Sequence, residues 1–153
     1  MSASLRRSVA IPFACALVFV TGSCASSSRS TPTASVELVV SRLVTAVNSA
    51  DLDGFMGLFA PQASAFLPSA ANPSTLTGYA QIRAGVSEAL ATRPRNPLAI
   101  RDLLVTVERT MALASFEIGN PIVHSRRTLV LRKISGEWKI VHLHGSNLRT
   151  EGN

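Results

Sequence analysis

The apolar residues of this chain change period once, and that change dictates the order of the architecture. From Val36 they fall at 36, 39, 40, 43, 44 and 47, the spacing of a helix with one buried face; from Leu103 they alternate, as half-buried strands require. Helices therefore come first and strands after. Thr31 before Pro32 supplies an N-cap and a first-turn proline, and Asn48 to Ala50 marks the stop of the first helix. Asp51 caps a short second helix that carries Leu52, Phe55, Met56 and Phe59 on one face and ends at Pro61. Ala65-Phe66-Leu67 is a short strand candidate before the Pro68 to Thr77 loop, and Tyr79, Ile82, Val86, Ala89 and Leu90 give a third helix after Gly78.

Four longer strands follow. Leu103, Val105 and Val107 alternate up to a hairpin at Arg109-Thr110, and Ala112, Ala114, Phe116 and Ile118 alternate up to a turn at Asn120-Pro121. A strand from Ile122 to Ile134 then turns at Ser135-Gly136 into a last strand from Trp138 to about Ser146. The expected class is α+β, with three N-terminal helices covering one face of a curved antiparallel sheet. With 46% hydrophobic and 16% charged residues over 153 positions, the composition suits one globular domain and excludes a disordered chain. The net charge is +6, but the basic residues are scattered, so nucleic acid is not an expected partner.

The first segment reads as an export signal. Residues 1–23 combine Arg6-Arg7, a twelve-residue apolar run from Val9 to Val20 and the small residues Thr21-Gly22-Ser23 before Cys24. The run is too short for a permanent anchor, which takes roughly 20 residues. Val20 to Cys24 resembles the lipobox of bacterial lipoproteins, and that resemblance implies lipidation at Cys24 and a lipid anchor on the cell envelope. The alternative is ordinary cleavage at Ser23-Cys24-Ala25, giving a periplasmic or secreted protein. Residues 24–34, rich in Ser, Thr and Pro, suit a tether. Cys15 and Cys24 both lie outside the expected domain, which is thus left without a disulfide.

Residues 128–146 contain Gly136-x-Trp138-x-x-Val141-His142-x-His144-x-Ser146 and resemble the end of a domain of the nuclear transport factor 2 superfamily. The pattern belongs to the SnoaL-like branch, which includes the association domain of calcium/calmodulin-dependent kinase II. Ala50 to Phe55, with Leu58-Phe59, resembles that superfamily's second-helix segment, and Gly78 before Ile82-Arg83 the start of its third helix. The resemblance covers residues 35–148, leaving 149–153 as a tail, and implies a cone-shaped, cystatin-like roll. It does not fix function, because the superfamily holds isomerases, dehydratases, hydrolases, oligomerisation hubs and binding modules.

Leu129 and Gly145 stand where the resemblance places pocket arginines of the kinase hub, so a more apolar cavity is expected here. Its lining would come from Phe55, Phe59, Leu129, Leu131, Val141, Leu143 and Gly145. No pair of acids suits ketosteroid-isomerase chemistry, since Asp51 and Asp53 read as caps, Asp102 as a strand start, and Glu108 and Glu117 as hairpin flanks. Strict alternation puts His124, His142 and His144 with Trp138 on the even-numbered face, away from the cavity, as a structural network near an interface. A β-bulge between Trp138 and His144 would change that facing. No metal site is expected from these histidines and no cofactor is implied. Arg126-Arg127 points one side chain to each face; solvated charge is the default reading for a strand middle, with a reach into a pocket by one of the two as the alternative.

Apolar residues on both faces of the last strands imply a homodimer through the sheet. The expected function is a non-catalytic module that binds a small apolar ligand or a partner protein. The alternative is a SnoaL or ketosteroid-isomerase type of enzyme, with His142, His144 or His124 in the pocket as general acid or base.

Overall fold

The structure is a computed structural model that describes residues 31–67, 75–93 and 95–148. The expected signal peptide, the Cys24 lipidation site, most of the tether, loop residues 68–74 and the C-terminal tail lie outside the described residues. Among the described residues no helix is long and apolar enough to cross a membrane.

Helix α1 (Pro32–Ser49) starts where Thr31 Oγ1 accepts the Ala34 N–H at 3.2 Å, and it ends at Ala50 in the left-handed conformation, φ 56°. The Ala50-Asp51 corner folds back at once: the Asp51 N–H bonds the Ala46 carbonyl at 2.9 Å while its carboxylate caps α2 (Leu52–Met56). Strands β1 (Phe59–Phe66) and β2 (Leu76–Thr77) precede helix α3 (Gly78–Ala91). A meander then runs through β3 (Ala99–Glu108), β4 (Met111–Gly119), β5 (His124–Ile134) and β6 (Glu137–Asn147).

The six strands form one sheet in the order β2-β1-β6-β5-β4-β3, antiparallel throughout except where β1 runs parallel to β6. Two expectations are corrected here. Phe59 opens a strand and does not extend the second helix, and Pro61 lies inside β1 without ending an element. The proline is tolerated because the β1–β6 pairing skips from Phe59 to Ser64, so the stretch that lacks its N–H carries no ladder bond for it to break.

The helices bury their apolar stripes on one face of the sheet. Val36, Val40 and Leu43 of α1, Met56 of α2 and Ile82 of α3 meet Leu129, Leu131, Ile140 and Leu143, all essentially excluded from solvent. Each such side chain contributes about 1.5–3 kcal/mol relative to exposure. The β5–β6 register shifts between Val130 and Leu131: Leu131 pairs with Ile140, but Val130 pairs with His142, leaving Val141 as an extra residue. This overturns the facing that strict alternation gives. Trp138 and Ile140 share the core face with Leu129, Leu131 and Leu143, while Val130, His142 and His144 face away from the helices.

Candidate functional site

A cavity of about 530 Å³ opens between the helices and the far end of the sheet. Its volume lies within the roughly 300–1,000 Å³ of small-molecule sites. Leu43 and Val47 of α1, Phe55 of α2 and Val86 and Leu90 of α3 form the helical wall, with Ile118 and Leu143 on the sheet. Two asparagines hold the rim. Asn48, at the end of α1, donates to the Leu98 carbonyl at 2.9 Å and accepts the Leu98 N–H at 2.8 Å, fixing the approach to β3. Asn120, buried at the β4–β5 turn, accepts the Ile122 and Val123 N–H groups at 2.9 Å and donates to the Asn96 carbonyl at 2.9 Å. Backbone groups that would otherwise lie unpaired at the cavity edge are thereby satisfied.

The sheet floor supplies the polar groups. Ser125, buried, donates to Asn147 Oδ1 at 2.6 Å, so this pair bridges β5 and β6 beneath the cavity. Arg127 follows two residues later on the same face and is half-buried in the cavity wall. Burial pushes its pKa down to about 10, and that still leaves it a cation at neutral pH. Arg126 points to the opposite face and is ion-paired with Glu117 at 3.1 Å. Arg126 is therefore the solvated member of the pair, and Arg127 is the one that reaches the cavity, the alternative the sequence also offered.

The residues expected to line a cavity separate in space. Phe55 and Leu143 form part of its wall. Phe59 stacks behind Phe55 with ring centroids 5.2 Å apart, and Leu129 and Leu131 pack in the core beneath. Val141 occupies the bulge, and Gly145 pairs across the ladder with Arg127. None of the three histidines is among the lining residues. Ser64 Oγ lies 2.8 Å from His142 Nδ1 across the parallel β1–β6 pair, and Phe66 sits edge-on to both His142 and His144 with centroids 5.8 Å away. Trp138, expected beside these histidines, is on the other face, where Lys133 lies 5.9 Å from its ring centre. Among the described residues no group of three His, Cys, Asp or Glu side chains could hold a metal ion.

A roll of helices over a curved sheet, with a cavity between them, is the architecture of the nuclear transport factor 2-like proteins. Residues 36–150 match the SnoaL-like domain, and the chain belongs to that family. A nuclear transport factor 2-like protein of unknown function from Pseudomonas putida shares 20% identity, with a TM-score of 0.67 over 78% of this chain and 89% of that one. A candidate ketosteroid isomerase from Parabacteroides distasonis is 20% identical, with a TM-score of 0.63 over 76% of this chain and 89% of its own. A candidate calcium/calmodulin-dependent protein kinase type II association domain from Thiobacillus denitrificans is also 20% identical, with a TM-score of 0.63 over 74% of this chain and 94% of its own. Likeness at this identity speaks to the fold alone. No curated protein matches the chain.

Proposed function

We propose that this SnoaL-like domain is a binding module whose cavity holds a small, largely apolar ligand. The observation that carries the reading is the cavity itself: about 530 Å³, walled mainly by aliphatic and aromatic side chains over a polar floor, with none of the three described histidines in its lining. The enzyme alternative needs a pocket histidine within hydrogen-bond reach of a substrate proton. His142 and His144 project from the other face of the sheet, so that mechanism has no support in the geometry.

The outer face suits a second copy of the chain. Leu104 is 65% exposed and Leu113 44%, and Met111 and Phe66 are also exposed on the face of the sheet that the helices leave uncovered. The export reading rests on the sequence, with Cys24 as the lipid anchor and the Ser-rich segment as tether.

The neutral apolar dye N-phenyl-1-naphthylamine tests the cavity. It should bind saturably at one site per chain, and Ala89→Trp at the cavity wall should abolish binding while leaving the melting transition cooperative. Non-saturating fluorescence, or binding indifferent to Ala89→Trp in a folded variant, would refute the proposal. Light scattering should find a dimer at micromolar concentration, converted to monomer by Leu113→Glu. Intact mass of the membrane fraction should show a diacyl or triacyl modification lost in Cys24→Ala.

A further inference from the structure

Building on the cavity as a ligand site, we infer that its ligand is a monoanionic amphiphile whose carboxylate is held by Arg127 and whose apolar body lies against Val86, Leu90 and Leu143. The two adjacent arginines of β5 frame the argument. Arg126 is exposed and has a carboxylate partner, Glu117, at 3.1 Å. Arg127 is the one turned into the cavity, and among the described residues no carboxylate is ion-paired with it. Its one hydrogen bond among those residues runs from Nη1 to the Arg126 carbonyl at 2.8 Å. A guanidinium carries five N–H donors in a fork shaped for a carboxylate, so most of its donor capacity is unused among the described residues.

An ionised group taken out of water without a counter-charge is costly to the fold. Loss of solvent is what lowers the proton affinity of Arg127, with no neighbouring carboxylate raising it. Glu88 also lines the cavity but is exposed at its rim. Across the ladder from Arg127 stands Gly145, so the neighbouring strand brings no charged or polar side chain to that position. The unused donors, the missing counter-charge and the place of Arg127 in the cavity wall together describe an anion site at the polar end of an apolar chamber.

The charge count narrows the class. One half-buried cation neutralises one negative charge, whereas a phosphate monoester near two would leave an uncompensated charge among aliphatic walls. Arg93 at the rim is exposed, with Nη1 already donating to the Leu90 carbonyl at 3.2 Å, and adds no second buried charge.

Decanoate, decanol and decyl phosphate, used to displace N-phenyl-1-naphthylamine from the purified chain, test the inference. Decanoate should displace the dye at about ten-fold lower concentration than decanol or decyl phosphate, the advantage of a charge-assisted hydrogen-bonded pair. Arg127→Met should weaken decanoate by about ten-fold and leave decanol within three-fold of wild type, and Arg127→Lys should keep part of the preference. Equal displacement by decanoate and decanol, or an Arg127→Met variant that binds decanoate as well as wild type, would overturn the anion site and leave the apolar cavity standing. Tighter binding of decyl phosphate would overturn the monoanion assignment. A dye that does not bind, or that neither decanoate nor decanol displaces, would overturn both the cavity reading and this inference.

Discussion

Trp138 and His142 are four residues apart on β6 and project from opposite faces of the sheet, because Val141 is inserted between them without a partner of its own on β5. An even separation in a regular strand keeps two side chains on one face. Here the extra residue flips everything beyond it, so Leu143 returns to the core and the histidines leave it. Removing Val141 would restore a regular ladder, Leu131 with Ile140, Val130 with His142 and Leu129 with Leu143, with no side chain changing face. Deletion of Val141 should therefore retain a cooperative fold and lose only about 1–3 kcal/mol in urea unfolding, the scale of a local repacking. Deleting Val130 from the regular β5 should instead turn half of that strand inside out and abolish the transition. Loss of folding in the Val141 deletion would show that the bulge itself, through its added twist, is required.

The histidine pair predicts an unequal response. His142 is tied to Ser64 at 2.8 Å across the β1–β6 pair, while His144 is exposed and touches Phe66 edge-on. His142→Ala should cost about 1 kcal/mol, the value of one part-buried hydrogen bond, and His144→Ala a few tenths. Ser64→Ala should match His142→Ala, and the double variant should cost little more than either single one in urea melts. Both His variants should bind the neutral dye as wild type does, since neither side chain reaches the cavity. A dye-binding defect in a folded His142→Ala protein would place that histidine in the site after all.

The helices, their caps and most turns were legible because each is written locally: Thr31-Pro32, Asp51 and Ser135-Gly136 act within four residues of themselves. Phe59 misled because one apolar residue at helical spacing looks the same whether the chain continues the turn or leaves it as β1. A bulge carries no composition mark either, and Val141 reads as one more core residue until β5 shows that nothing pairs with it. The alternation that assigned Leu129 to the inner face also assigned Arg127 there. What the sequence could not show was that α3 lines the same cavity, so that this cation loses much of its solvent.

Desolvation of Arg127 predicts a variant that is more stable and less functional. Its folded pKa of about 10 lies below the ordinary guanidinium value, so the unfolded chain holds the proton more tightly. The destabilisation is fully present below pH 10 and is relieved as pH rises through 10 toward the ordinary guanidinium value. Arg127→Met should accordingly stabilise the ligand-free protein by about 1–2 kcal/mol, discounted for partial solvent access, and by the same amount at pH 6 and pH 9. Urea midpoints at the two pH values check this. A destabilised variant would mean that the arginine stem contributes more by packing than its charge costs.

Asp51 and Gly54 form a cap in which each residue constrains the other, at the base of the helix that carries Phe55 to the cavity. The Gly54 N–H donates to Asp51 Oδ1 at 2.8 Å, and a Cβ on Gly54 would collide with the same carboxylate. Asp51→Ala should cost about 1 kcal/mol, as the loss of an N-cap does. Gly54→Ala improves helix propensity by up to about 1 kcal/mol but displaces the carboxylate from its bond, so alone it should also destabilise, by about 0.5–1 kcal/mol. With Asp51 already replaced by Ala there is no carboxylate to displace, and the same Gly54→Ala change should then stabilise by about 0.5 kcal/mol. The sign of its effect thus reverses with the partner. A double-mutant cycle on urea midpoints reads this directly: a coupling near 1 kcal/mol is expected, and additive effects would mean that the carboxylate swings clear at no cost and that the cap contributes little to holding α2.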